Sequence, residues 1–191
     1  VKESVELLRN ARAKGIPVTG EATPHHLTLT DECIKKYDTN YKMNPPLRSE
    51  EDRLALIAGV ADGTITAIAT DHAPHTMTAK MVEFDYAPFG IIGLETALPV
   101  SYGELVAKGV ISLPKLVELF TAGPADILGF DDYSLAPGNP ADLTVFDPEA
   151  KYTVDKEQFK SNSRNTPFDG WEVQCKTMLT MVGGKIVYNE L

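Results

Sequence analysis

At 191 residues, with 43% hydrophobic and 24% charged residues, the chain has the makeup of an ordinary folded protein: one medium domain, or one with a smaller appendage. A formal net charge of −9 argues against a nucleic-acid surface or an anionic membrane, and no apolar run approaches the ~20 residues needed to span a bilayer. Two cysteines without CxxC spacing, Cys33 and Cys175, read as free thiols of a reducing, cytoplasmic compartment.

The pattern opens with an amphipathic helix from Val1 to Lys14, carrying Val1, Val5 and Leu8 on one side and ended by Gly15. Starting inside a helical pattern on Val1 points to a chain without its natural beginning. Ile16 to Thr19 reads as a short strand leading into the polar cluster Glu21-Ala22-Thr23-Pro24-His25-His26. A short helix is expected over Thr30 to Tyr37, because Thr30 is followed by Asp31 and Glu32. The prolines of Lys42-Met43-Asn44-Pro45-Pro46-Leu47-Arg48 fix an extended loop. Ser49 and Asp52 form a capping-box-like start for a helix to about Asp62, closed by Gly63. Thr64 to Thr70 is a buried strand, uncharged and rich in β-branched residues.

From His75 to Ala87 no period is visible, and such a loop reads as a mobile lid over residues 76–87. A helix is expected from about Glu95 to Lys108, and another over Leu113 to Leu128 with a break at Gly123-Pro124. This alternation is that of a parallel α/β structure. After Gly129 the texture changes: Asp131 to Pro140 is turn-forming and Ala141 to Phe146 is a short strand. Thr177 to Val182 and Lys185 to Tyr188 form a hairpin about Gly183-Gly184. The expected division is 1–130 for the α/β part and 131–191 for a small β unit.

The chemistry gathers where the buried strand ends, at Asp71-His72-Ala73-Pro74-His75. A carboxylate and two imidazoles at a strand's carboxyl end stand where α/β barrels and open sheets hold catalytic groups. Asp71 alone could instead cap a turn.

Asn44-Pro45-Pro46-Leu47-Arg48, Thr70-Asp71-His72-Ala73-Pro74-His75 and Ala87-Pro88-Phe89-Gly90, in this order, resemble the carboxyl-terminal half of the bacterial dihydroorotases of the amidohydrolase superfamily. Glu21 to Leu27, Gly138 to Leu143 and Asn165-Thr166-Pro167-Phe168 add to the resemblance, which runs over essentially the whole chain. It implies part of a (β/α)8 TIM barrel with a β-sandwich portion. It also implies a zinc-dependent hydrolase of pyrimidine biosynthesis, interconverting N-carbamoyl-L-aspartate and L-dihydroorotate. Asp71 would bind zinc and act as general base and acid, while Asn44, His75 and the backbone of Phe89 and Gly90 would hold the substrate. The residue types suit such chemistry, since a metal-bound water needs a proton acceptor beside it and Asn44 offers a donor and an acceptor to an amide edge.

His25 and His26 are expected to be structural, because the resemblance puts the family's metal histidines upstream. His72 is expected to support the loop, and Arg48 to anchor its own. The missing His-x-His and bridging ligand leave Asp71 as the one carried-over ligand, so the chain alone is not expected to hold zinc. A homodimer and an association with aspartate transcarbamoylase are the implied assemblies. Three competing readings are a hydantoinase or allantoinase, a dihydroorotase-like chain that serves only as a structural partner, and an autonomous α/β binding domain.

Overall fold

In the computed structural model, which describes residues 1–130 and 134–191, helices alternate with short parallel strands as far as Leu128, and antiparallel strands follow. Helix α1 (Lys2–Ala13) buries Val5 and ends at Gly15, whose φ of 74° a residue with a Cβ adopts only under strain. The expected strand at Ile16 to Thr19 is displaced. Pairing begins at β1 (Glu21–Ala22), because Ile16 faces solvent and the surface that buries a strand starts beyond Gly20. Strand β1 runs parallel to β2 (Ala67–Ile68), Glu21 facing Ala67 and Ala22 facing Ile68. Backbone bonds from Thr66 to Gly20 and from Ala69 to Ala22 lengthen this ladder within the expected Thr64 to Thr70 segment.

Between these strands lie α2 (Pro24–Thr28) and α3 (Glu50–Ala61). Thr23 Oγ1 caps α2 by accepting from the His26 amide, with Pro24 at the first position, where no N–H is needed. Ser49 Oγ does the same for α3, accepting from the Asp52 amide. The helix expected over Thr30 to Tyr37 is reduced to one 3-10 turn, Asp31–Cys33, before Lys36 and Tyr37 turn left-handed. Its apolar pair, Cys33 and Ile34, is adjacent rather than spaced three or four apart, so a single turn packs both, partly buried, against the cluster of Met43 and Leu47.

The expected lid is ordered differently from a plain loop. Thr76 caps a short helix, α4 (Met77–Lys80). Helix α5 (Ala97–Ser101) starts later than expected and widens into a π turn over Tyr102–Val106. The following helix breaks at Thr121, two residues before the expected site, into α6 (Leu113–Phe120) and α7 (Ala122–Leu128). The break lets Gly123 lie on β2, where a Cβ would stand 2.0 Å from the Thr66 carbonyl oxygen.

The remaining strands, β3 (Leu143–Thr153), β4 (Glu172–Val182) and β5 (Lys185–Asn189), pair antiparallel in that order. Strand β3 outruns its expected end at Phe146, because pairing with β4 resumes at Lys151 after an irregular stretch. The β4–β5 turn is Gly183-Gly184, both at positive φ as a tight hairpin turn requires. The 130/131 boundary and part of the turn expected over 131–140 lie outside the described residues. Two apolar clusters cross from one part to the other. One joins Ala22, Ile68, Leu105 and Leu119 to Cys175 of β4; the other joins Met43, Leu47, Ile91 and Val100 to Phe168. Among the described residues no helix is long and apolar enough to cross a membrane.

Candidate active site

Four segments meet beyond the carboxyl ends of β1 and β2. Because the two strands are parallel and in register, the residues that follow them, His26 after β1 and Asp71 after β2, emerge at the same end of the sheet. Asp71 is exposed and sits at φ 50°, a left-handed turn out of the strand that carboxylate residues tolerate better than most. The carboxylate expected at the end of a buried strand therefore faces solvent, and the cost of burying an unpaired charge does not arise.

The histidine pair splits. His25 is 1% exposed, its Nε2 lacks a hydrogen-bond partner, and burial together with the neighbouring His26 pushes its pKa down to about 3. It is a neutral core residue, as expected. His26 ties two segments together with both ring nitrogens. Its Nδ1 lies 2.7 Å from Thr23 Oγ1 and its Nε2 2.9 Å from the Pro45 carbonyl oxygen. A carbonyl only accepts, so Nε2 carries the proton and donates it. Burial holds the His26 pKa below the usual histidine value, against the Pro45 carbonyl and the Asp71 carboxylate, which both favour the charged ring. The His26 contact with Pro45 draws the Asn44 loop to the start of α2.

Asn44 is exposed next to the cis Asn44–Pro45 bond. Its loop is also fixed from the other side, where the Gly90 amide donates to the Lys42 carbonyl at 2.8 Å. That bond corrects one expectation: the Gly90 N–H is engaged by the protein itself. Gly90 is required by φ 98° and by Ala73, whose Cβ would lie 2.6 Å from a Cβ at this position. His75 donates from Nε2 to the Phe89 carbonyl at 2.9 Å, which joins the two expected substrate-contact segments directly. The Phe89 side chain is 53% exposed, with Lys42 Nζ 4.6 Å from its ring centroid, so it is no core residue. His72 turns the other way, accepting from the Gly93 amide at 3.1 Å and bridging to Ile91. It holds the loop, as expected. Arg48 reaches Asp52 within its own turn of chain.

Lys42, Lys80 and Asn165 also organise this region, and none of them was singled out as a site residue from the sequence. Lys42 Nζ donates to the carbonyls of Phe84 and Asp85, and Lys80 Nζ to those of Pro88 and Gly90. Asn165 binds Ala73, His75 and Gly90. The Asn165-Thr166-Pro167-Phe168 motif was visible in the sequence as part of the resemblance; nothing local marks the two lysines.

Among the described residues no three His, Cys, Asp or Glu side chains gather to hold a metal ion. A zinc site takes three or four protein ligands. Asp71 therefore fits as one member of a ligand set that the described residues do not complete.

The sequence model described as "Amidohydrolase family" matches residues 2–187. Dihydroorotase of Desulforapulum autotrophicum is 54% identical over 187 residues, covering 98% of this chain and 43% of that protein. Dihydroorotase of Brevibacillus brevis is 54% identical over 191 residues, covering 100% of this chain and 45% of that protein. Among solved structures, an L-hydantoinase from Arthrobacter aurescens superposes with a TM-score of 0.92 at 33% identity, covering 99% of this chain and 43% of that one. A dihydropyrimidinase from Brevibacillus agri gives 0.90 at 27%, covering 97% of this chain and 42% of that one. The chain thus spans less than half the length of these relatives, and its βα units are the α/β portion of a (β/α)8 barrel, followed by the β-strand tail.

Proposed function

We propose, from the premise that this chain belongs to the amidohydrolase family, that the protein carrying it is a zinc-dependent dihydroorotase of the cytoplasm, acting in pyrimidine biosynthesis. The observation that carries the substrate assignment is identity of 54% with a dihydroorotase along 98% of the chain. In this reading Asp71 supplies one ligand, and the others come from the length of the relatives that this chain does not span. Zinc, when bound, lowers the pKa of a coordinated water towards 7 and so supplies the attacking hydroxide.

The chain's own residues do the rest. Asp71 accepts the proton of the attacking water. As the ring carbon–nitrogen bond of dihydroorotate breaks, the carboxyl group returns that proton to the departing nitrogen, giving N-carbamoyl-L-aspartate. In the reverse direction the same proton travels back and water leaves. Asn44, exposed beside the Pro45 carbonyl that His26 binds, offers a donor and an acceptor to the pyrimidine edge. His75 has Nε2 committed to Phe89, so Nδ1 is the atom left to meet the substrate.

The zinc-loaded protein at the length of its relatives is expected to turn over dihydroorotate well ahead of hydantoin. Asp71→Ala should lose nearly all turnover and part of the bound zinc; His75→Ala should chiefly raise KM. Faster opening of hydantoin would move the assignment to a hydantoinase, a reading favoured by the 0.92 TM-score to one.

A further inference from the structure

We infer that Asn165 is the positioning residue of the substrate-binding loops, an amide in the β-rich part of the chain that holds His75 and the Phe89-Gly90 backbone in one arrangement. The inference rests on the dihydroorotase reading for the identity of the substrate, and on geometry alone for the rest. Asn165 is 5% exposed. Its Nδ2 donates to the Ala73 carbonyl at 2.9 Å and to the Gly90 carbonyl at 3.3 Å. Its Oδ1 accepts from the His75 amide at 3.2 Å, and its own carbonyl accepts from the Ile92 amide at 3.1 Å. The loop after β2 and the loop before α5 are thereby tied together at Ala73, His75, Gly90 and Ile92.

The orientation of the amide is fixed by its partners. Turned over, it would set its oxygen against two carbonyl oxygens and its NH2 against an N–H. Both side-chain donors are thus used on backbone that carries the candidate contacts. Asn165 touches none of the reacting atoms; it acts through the direction of the His75 backbone and the Gly90 peptide. The Lys80 ammonium shares the Gly90 carbonyl at 3.0 Å, and the Lys42 carbonyl accepts from the Gly90 amide, so the peptide units on both sides of Gly90 are held. No other side chain spans both loops in this way among the described residues.

Asn165→Asp keeps the size and the acceptor but replaces the two donors by an oxygen facing two carbonyls. In the zinc-loaded protein it should raise KM for dihydroorotate about ten- to a hundredfold, through misplacement of the order of an ångström, while kcat changes far less. Amide hydrogen exchange at residues 73–75 and 90–92 should quicken in the same variant. Val154→Ala, a cavity in the same part of the chain away from these bonds, serves as the control for general destabilisation: it should lower the melting temperature without moving KM or exchange in the loops. Unchanged loop exchange in Asn165→Asp, or a fall in kcat and kcat/KM by equal factors, overturns the inference. If the parent protein fails to open dihydroorotate at all, the function reading falls, and exchange in the loops still decides whether Asn165 holds them.

Discussion

Lys80 lies with its ammonium between the carbonyl oxygens of Pro88 and Gly90, 3.0 Å from each, and only 5% of the residue is exposed. Burial, with the nearby Lys42 charge, pushes its pKa down to about 8 from 10.5. Between those two values the unfolded chain binds more protons at this residue than the folded one, so its contribution to stability rises with pH from about 8 to about 10.5 and is flat below. Cys175, pushed up to about 11, and Tyr152, pushed up to about 12, act with the opposite sign at high pH, because their unfolded forms ionise first. Subtracting the melting curve of Lys80→Met from that of the parent removes those shared contributions. The difference should climb through the window from about 8 to about 10.5; parallel curves would show that Lys80 is not held charged in a buried place. At this scale the sequence disclosed groups whose chemistry is local: Asp71 and His75 sit in one short run, and Asn44 beside its prolines. It hid the contacts of His26 and Asn165, whose partners lie far away along the chain. The bond from Asn165 to Ala73 spans 92 residues and that from His26 to Pro45 spans 19.

Two glycines in the helices make opposite demands on their elements. Gly123, in the first turn of α7, is seated on β2 so closely that a Cβ would come within 2.0 Å of the Thr66 carbonyl oxygen and 3.2 Å of that of Glu118. Both are backbone atoms that cannot rotate away, so Gly123→Ala must lift the helix from the strand, at a cost of roughly 1–3 kcal/mol or more. Gly103, in the π turn after α5, has nothing within 4 Å of a Cβ position. Gly103→Ala should stabilise by about 0.5–1 kcal/mol through the unfolded chain alone. Chemical denaturation of the two variants checks the pair, and equal effects would refute the close seating of α7. Elements bounded by local chemistry were legible in advance: α1 by Gly15, α3 by Ser49, the hairpin by Gly183-Gly184. Those set by packing were not. The break at Thr121 follows from the approach of Gly123 to Thr66, and β1 stands where Ala22 finds Ile68 rather than where Ile16 begins a β-branched run.

The whole molecule leaves unfinished surfaces. Among the described residues strands β1 and β2 form a sheet of two, joined further only through the His72–Ile91 bridge, so backbone donors and acceptors lie along open edges. Leu7, Leu54, Leu94, Ile186 and Val187 are more than half exposed. A chain of 191 residues with this much apolar surface and open edge should self-associate in solution, even though its net charge of −9 opposes it. Salt decides which force governs. Raising ionic strength from 0.01 M to 0.15 M shortens the screening length from about 30 Å to about 8 Å, which weakens repulsion between like-charged copies and leaves apolar contact intact. Sedimentation velocity on the 191-residue chain at micromolar concentration should therefore show association that grows with salt. If the surfaces joined through ion pairs instead, salt would dissolve the assembly. A monomer at every ionic strength would mean that the sheet edges and apolar faces are closed in a way this fold does not contain.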